Sequence, residues 1–225
     1  MKRFTVREIL VILAILGVST ALLLQVIPKQ EQNLVGGGRS LPSFEVGTPI
    51  TLQEARTKAP FALMPVYLPE QNLSLRRVTG LPGILGLLHE NDDLYGEIRL
   101  FYSDRPITIL PMDPSAVQKY PAAAKLVVIT SQEIGNVPDE NWIYNFVAEW
   151  NQEAGEEIFV VTKVRGTMGI GVDLGHVNKF RDGSEEPAPA NITWWEDNLR
   201  IEVSGMFSLE ELLKIAESMK SLETF

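Results

Sequence analysis

The feature that most constrains this chain is an uncharged apolar run near its N-terminus, residues 9–27. Only Ser19, Thr20 and Gln25 interrupt its aliphatic side chains. As a helix rising about 1.5 Å per residue, the run would measure about 28 Å, close to the roughly 30 Å core of a bilayer. We therefore predict a transmembrane helix over residues 9–27, with the lipid bilayer as its partner.

The charges that flank this run predict its orientation. Lys2, Arg3 and Arg7 precede it, and Glu8 is the only acid there. The positive-inside rule then keeps residues 1–8 in the cytoplasm and places the rest of the chain outside. The predicted localisation is the cell membrane, in a single pass.

A cleaved signal peptide is the competing interpretation of the same run. Ser19 and Ala21 are small residues at the spacing that a signal peptidase recognises. Residues 22–24 continue the apolar run as three leucines, which favours an uncleaved anchor. A buried core helix fits less well, because the run is apolar on all sides and lies at the chain terminus.

A flexible linker is predicted over residues 28–47. It contains three consecutive glycines, 36–38, which have high backbone entropy and no side chains to pack. No Gly-Lys-Ser/Thr sequence follows them, so a phosphate-binding loop is not indicated. The remaining residues, 48–225, suit one extracytoplasmic domain.

The composition excludes several classes of function. The chain has 20 Lys and Arg against 29 Asp and Glu, a formal net charge of −9, and no Cys. Because the N-terminal segment is basic, the negative charge belongs to the outer domain, and we predict no nucleic-acid partner. The lack of Cys excludes disulfides, thiol nucleophiles and a cysteine-linked lipid anchor.

Two helices are predicted from capping boxes, in which Thr or Ser is followed three residues later by Glu. Thr51 with Glu54 begins a short helix, and Ser208 with Glu211 begins a longer one. An apolar stripe at helical spacing follows the second box. Its members are Leu209, Leu212, Leu213, Ala216, Met219 and Leu222.

The region between these helices is rich in strand patterns. The predicted strands are 73–78, 97–102, 107–110, 126–130, 157–165, 191–196 and 199–204. Asp197 and Asn198 predict a hairpin turn between the last two. Charged and apolar residues alternate in 97–102, which predicts one solvated face. The predicted fold class is α+β, an antiparallel sheet with the C-terminal amphipathic helix packed on one face.

No catalytic, metal or cofactor motif is evident. His89 and His176 lack a Gly-x-Ser-x-Gly nucleophile elbow to serve. Residues 166–171 lack the glycine order of a dinucleotide-binding loop and predict a glycine-rich turn or bulge. The acidic stretches 92–93 and 182–186 lack the spacing of a calcium loop. We predict a protein that is not an enzyme and that holds no metal or cofactor.

Trp194 and Trp195 are the candidate groove or interface residues. Neighbouring residues of a strand point to opposite faces, so both cannot be core residues of a one-sided sheet. One interpretation buries one ring while the other lines a groove or an interface. The alternative leaves the second ring half covered by a loop.

Several segments together resemble an uncharacterised bacterial extracytoplasmic domain. They are 66–70 (Val-Tyr-Leu-Pro-Glu), 99–102 (Arg-Leu-Phe-Tyr), 164–166 (Val-Arg-Gly), 192–196 (Ile-Thr-Trp-Trp-Glu) and 209–218. Domains of this kind follow a single membrane helix in anti-sigma-factor-like proteins, and some look like the lipoprotein-carrier fold. The resemblance implies a curved antiparallel sheet with helices on its concave side. It supplies no catalytic residues, and eight cytoplasmic residues are too few to bind a sigma factor.

The extreme N-terminus resembles type IV pilins and pseudopilins. In that family the mature chain begins with Phe and carries Glu at its fifth position, as Phe4 and Glu8 do here. Arg3 stands where the family has Gly, and Arg7 stands where it has an apolar residue.

Taken together, these patterns predict a membrane-anchored, non-enzymatic extracytoplasmic domain that binds a partner, such as another envelope protein, or senses a ligand. One alternative is a carrier that holds a lipid or lipoprotein on the concave side of the sheet. Another is a pilin-like subunit of an envelope assembly.

Overall fold

The structure is a computed structural model that describes residues 43–45, 48–81, 95–110, 125–134, 136–179 and 185–224. The predicted cytoplasmic stub, membrane helix and most of the linker lie outside these residues, as do His89 and the acidic stretch 92–93. Among the described residues, no helix combines the length and apolar character needed to cross a membrane.

The described residues form three α-helices and fourteen short or medium strands. The helices are α1 (Leu52–Lys58), α2 (Glu140–Ala154) and α3 (Leu209–Glu217), and a 3-10 turn covers Leu222–Thr224. The strands are β1 (Ser43–Glu45), β2 (Thr48–Ile50), β3 (Leu63–Pro65), β4 (Ser74–Leu81), β5 (Glu97–Ser103), β6 (Thr108–Leu110), β7 (Leu126–Glu133), β8 (Phe159–Val164), β9 (Thr167–Val172), β10 (Val177–Lys179), β11 (Glu185–Pro187), β12 (Ala190–Glu196), β13 (Leu199–Gly205) and β14 (Met219–Ser221).

Eight of these strands make one sheet in the order β2-β4-β5-β7-β13-β12-β9-β8. Every neighbouring pair in it is antiparallel. Three separate strand pairs accompany it, β1 with β6, β10 with β11, and β3 with β14. The predicted α+β class with a large antiparallel sheet is therefore confirmed.

One side of the sheet, which we call the helix face, is covered by α1, α3, β3 and β14. Its strands contribute alternate apolar residues, since successive side chains of a strand point to opposite sides. The buried residues that the sheet places there include Val78, Ile98, Leu100, Ile129, Ile192, Trp194, Ile201 and Val203. The opposite side, which we call the mixed face, carries the residues between these.

The predicted C-terminal helix is present but shorter than its apolar stripe. It begins where the hydroxyl of Ser208 accepts the N–H of Glu211, as the capping box predicts. It ends at Glu217, so Met219 lies in β14 and Leu222 in the 3-10 turn. Both side chains are buried in the same core as the helix, which explains why the apolar spacing extends beyond it.

Helix α2 was not predicted, although both of its ends carry ordinary signals. The carboxylate of Asp139 accepts the N–H of Trp142 at 2.7 Å, and Gly155 ends the helix in a left-handed conformation with φ +73°. Ile143, Phe146 and Val147 are buried against the mixed face. The sheet is therefore covered by helices on both sides.

The glycine-rich stretch 166–171 is only partly a turn. Arg165 and Gly166, with φ 52° and 85°, form the two-residue turn between β8 and β9, and the later glycines lie within β9. A Cβ on Gly169 would lie 2.8 Å from the carbonyl oxygen of Thr193. Gly169 therefore permits the close approach of β9 and β12.

A candidate binding face of the sheet

The middle of the mixed face is polar, between two apolar clusters. One cluster consists of Phe101, Ile107, Leu126 and Val128, and the other lies under α2. Between them runs a group of side chains that we call the polar lane. Its members are Thr79, Glu97, Arg99, Thr130, Gln132, Arg200, Glu202, Asn191 and Thr193.

The strand register arranges eight residues of the polar lane, together with Trp195, in two parallel rows. The first row is Thr79, Arg99, Thr130, Glu202 and Thr193, and the second is Glu97, Gln132, Arg200 and Trp195. Neighbours within a row lie on adjacent strands, about 4.8 Å apart. Trp195 therefore ends the second row, beside Arg200.

Two ion pairs give the polar lane an alternating charge pattern. On β5 the Nε of Arg99 lies 2.6 Å from a carboxylate oxygen of Glu97, and on β13 Arg200 pairs with Glu202. Strands β5 and β13 run in the same direction, because both are antiparallel to β7. The acid comes first on β5 and the base first on β13, so opposite charges alternate both along the strands and across them.

Hydrogen bonds connect this charge pattern to the neighbouring amides. Arg200 donates to the amide oxygen of Gln132 at 3.1 Å, and Asn191 donates to Glu202 at 2.7 Å. Thr193 donates in turn to the amide oxygen of Asn191 at 3.2 Å. The array is therefore held in one arrangement before anything binds to it.

Burial at the polar lane overturns one prediction. The alternation in residues 97–102 predicted a solvated face, but Glu97 is only 6% exposed and Arg200 only 3%. Along β5 every residue is buried except Arg99, which is partly exposed, so neither face of the strand is solvated. Buried charges persist when they are paired, as both ion pairs here are.

An aromatic cluster lies beside the polar lane, between α2 and the sheet. Trp142 stacks on Phe146 with ring centroids 5.2 Å apart, and Trp142 meets Trp195 edge-on at 6.2 Å. Phe146 also contacts Trp150 at 5.7 Å and Phe159 at 5.9 Å. We call these five rings the aromatic cluster. Trp142, Trp150 and Phe159 keep part of their surface exposed at its rim.

The two adjacent tryptophans are both buried, one on each face. Trp194 is 0% exposed on the helix face, and its indole N–H donates to Glu196 at 3.3 Å. Trp195 is 3% exposed on the mixed face, within the aromatic cluster. The premise of a one-sided sheet was wrong, so both rings are core residues. A role of either ring in a groove or interface stays a prediction.

The two indoles differ in how their N–H groups are satisfied. Within the described part of the chain, the N–H of Trp195 is buried and has no hydrogen-bond partner. A buried donor without an acceptor costs about 1–3 kcal/mol and is uncommon in folded proteins. Trp195 therefore combines an unused donor with a position where the aromatic cluster meets the polar lane.

Of the two histidines considered in the sequence, only His176 lies in the described part of the chain, and it does not join this arrangement. Its backbone carbonyl accepts the N–H of Ala188 at 2.9 Å, outside the large sheet. Among the residues that the structure covers, no group of three or more His, Cys, Asp or Glu is placed to hold a metal ion.

Comparisons with known proteins add no relative. No protein-family model matches the chain, and neither a curated protein nor a solved structure does so. The resemblances noted in the sequence therefore stay predictions, and the geometry of the mixed face is what bears on function.

Proposed function

We propose that this chain is a membrane-anchored, non-enzymatic extracytoplasmic domain that binds another envelope protein through the mixed face of its sheet. The observation that carries the proposal is the buried, unpartnered N–H of Trp195 at the end of the ordered polar lane. A partner that inserts an acceptor there would satisfy this donor.

The paired charges of the polar lane suit recognition. Its carboxylates, Glu97 and Glu202, each pair with a guanidinium. These pairs fix donors and acceptors in place, which lowers the ordering cost of binding.

The aromatic cluster supports an interface at the same place. Tryptophan and arginine are the residues that contribute most often to the central energy of protein interfaces. Here Trp142 and Trp150 keep partial exposure at the rim, and Arg200 lies beside Trp195. A partner that packs against this rim contacts an aromatic surface next to the polar lane.

The helix face gives less support to the carrier hypothesis. A carrier of lipid or lipoprotein would hold its ligand there, yet α1, α3, β3 and β14 already pack their apolar side chains on that side. The anchoring part of the proposal rests on the apolar run 9–27 and the bases before it.

Site-specific photocrosslinking of the full chain in its native membranes tests the proposal. A benzophenone residue replaces Arg77, which is exposed and lies opposite Phe101 on the mixed face. The matched control carries the benzophenone at Lys58, a partly exposed residue of α1. We expect a discrete heteromeric product from position 77 and none from position 58.

Two tryptophan variants then separate binding from folding. Trp195→Phe keeps an aromatic ring and removes the unpartnered N–H. Relief of this buried donor offsets the packing lost with the larger indole, so we expect little change in melting temperature and a several-fold loss of the crosslinked product. Trp194→Phe removes the hydrogen bond to Glu196 and leaves a cavity at a fully buried position, so it should lower stability by about 1–3 kcal/mol while the product persists. Equal products from Trp195→Phe and the unaltered chain would refute the proposed site.

A further inference from the structure

The outer edge of β8 is a second feature with functional meaning, independent of the mixed face. Among the described residues, β8 is the last strand of the sheet and has β9 as its one neighbour. An edge strand presents one row of backbone N–H and C=O groups to whatever lies beside it. Which of these groups are already used decides what the edge can bind.

The hairpin geometry determines which residues of β8 face outward. The turn of Arg165 and Gly166 places Val164 opposite Thr167, and the closing pair of a two-residue hairpin exchanges both of its hydrogen bonds. Hydrogen-bonded positions then alternate along the strand. Val164, Thr162 and Val160 bond to β9, and the residues between them direct their backbone groups to the outer edge.

The side chain of Asn151 on α2 takes the place of a neighbouring strand at the start of this edge. Its amide oxygen accepts the N–H of Phe159 at 2.8 Å, and its NH2 group donates to the carbonyl of Phe159 at 2.8 Å. The edge at Phe159 is therefore already paired. At the other end, the N–H of Arg165 donates to Glu217 at 2.7 Å.

Between these two paired ends lie the outward backbone groups of Val161 and Lys163, which we call the open window of the edge. Within the described residues, their outward N–H and C=O groups meet no acceptor or donor. The side chains of Phe159, Val160, Val161 and Thr162 are all partly exposed, so both faces of the strand offer apolar or β-branched surface to a neighbour. Lys163 is the only charged residue in the strand.

We propose that a second copy of this chain pairs with β8 in antiparallel orientation and extends the sheet across a twofold axis. In this register Val161 lies opposite Lys163 of the partner subunit, and four backbone hydrogen bonds form. Thr162 then lies on the axis opposite the partner subunit's Thr162, a favourable kind of cross-strand pair.

The symmetry of the window favours a second copy over an unrelated peptide. The two open residues lie one on each side of Thr162, so an antiparallel copy presents the same two residues in the same positions. Twofold contacts of this self-complementary kind are the commonest in homo-oligomers. A longer peptide would need the groups of Phe159, which Asn151 occupies.

Cysteine crosslinking tests the register directly, because the full chain contains no Cys. A pair that does not share hydrogen bonds across antiparallel strands has Cα atoms about 4.5 Å apart, within the range that a disulfide spans. We therefore expect Thr162→Cys to give a disulfide-linked dimer of the full chain in membranes after mild oxidation. The readout is the dimer band on a non-reducing gel.

Val160→Cys is the matched control on the same strand and the same face. In the proposed register its Cα lies roughly 14 Å from its counterpart, too far for a disulfide. We expect at least a tenfold weaker dimer band. Adding Val161→Pro to Thr162→Cys removes an outward N–H and should abolish the dimer, with the circular dichroism spectrum unchanged.

The unaltered chain offers a measurement that needs no substitution. Amide exchange at Val161 and Lys163 should slow as the protein concentration in detergent micelles rises, while exchange at exposed Tyr144 should not change. Exchange independent of concentration, equal bands from the two Cys variants, or a linked product heavier or lighter than a dimer would each overturn the proposal. None of these outcomes bears on the role of Trp195.

Discussion

The two faces of the central sheet use the same strands for different purposes. On β5 and β7, Leu100 and Ile129 point to the helix face, while Arg99 and Thr130 point to the mixed face. The helix face is a continuous apolar core under α1 and α3. The mixed face sets paired charges between two apolar clusters. Apolar packing on the helix face therefore supplies stability that offsets the cost of burying polar groups on the mixed face.

The largest effect should follow from placing a charge on the helix face. Leu212 of α3 is 0% exposed. We expect Leu212→Asp to cost roughly 4 kcal/mol or more and to unfold the domain, because it buries an unpaired carboxylate. Thermal melting by circular dichroism measures the loss.

Leu213→Asp is the control. Because Leu213 is only partly buried, this substitution should cost about 1–2 kcal/mol. Equal melting of both variants would contradict the assigned face.

An intermediate effect should follow from breaking an ion pair on the mixed face. Arg200→Met removes the guanidinium that pairs with Glu202. Of the two donors named for Glu202, only Asn191 then remains. We expect a loss of about 3–5 kcal/mol by urea denaturation, and recovery of most of it in Arg200→Met with Glu202→Leu. Lys214→Met, which breaks an exposed pair with Glu210, should leave the urea midpoint unchanged, because the solvent screens such a pair. If the double variant is as unstable as Arg200→Met, the polar lane stabilises the domain through more than its paired charges.

The smallest effect should be a gain of stability on the helix face. In the described residues the hydroxyl of Tyr102 is buried and has no hydrogen-bond partner, and burial raises the pKa of this phenol. Tyr102→Phe should therefore stabilise the domain by about 1 kcal/mol. Urea denaturation at pH 7 measures the gain.

The same residue predicts a pH dependence. The folded protein holds the proton of Tyr102 more tightly than the unfolded chain does, because the pKa is raised in the folded state. The stability that the raised pKa of Tyr102 contributes is complete below about pH 10, the pKa of an unfolded tyrosine, and is lost as the pH rises above that value. We expect Tyr102→Phe to flatten the alkaline decline of stability, leaving the part due to Tyr95, whose pKa burial also raises. An identical decline in both proteins would argue that Tyr102 reaches solvent.

Local signals in the sequence predicted much of this fold. The hydroxyls of Thr51 and Ser208 cap their helices as expected, and Asp197 and Asn198 adopt the positive φ angles, 49° and 61°, of the predicted hairpin. These features depend on a few neighbouring residues, so a single sequence suffices to find them. The order of the strands depends on contacts between distant residues and could not be derived in this way.

The mixed face was the main omission, and two signals pointed to it. Asp139 and Gly155 bracket α2 as an N-cap and a left-handed end, with apolar residues at helical spacing between them. The ion pairs of the polar lane join residues two apart in one strand, which share a face. Without α2 the sheet is expected to be one-sided, so the charged residues of β5 are expected on a solvated face and only one of the two tryptophans is expected in the core.

The strand order also fixes when the domain can become complete during its synthesis. Residues 48–133 supply β2, β4, β5 and β7, and residues 159–205 supply the other half of the sheet. The helix face of the first half is covered by α1 and β3, whereas that of the second half is covered by α3. Residues 219–222 connect the two covers, since β14 pairs with β3 and the N–H of Leu222 donates to the carbonyl of Ala62 at 2.8 Å. A nascent chain that lacks residues 209–222 therefore leaves the helix face of β8, β12 and β13 without α3, and β3 without its partner strand, so all eight strands of the sheet exist before their cover is complete.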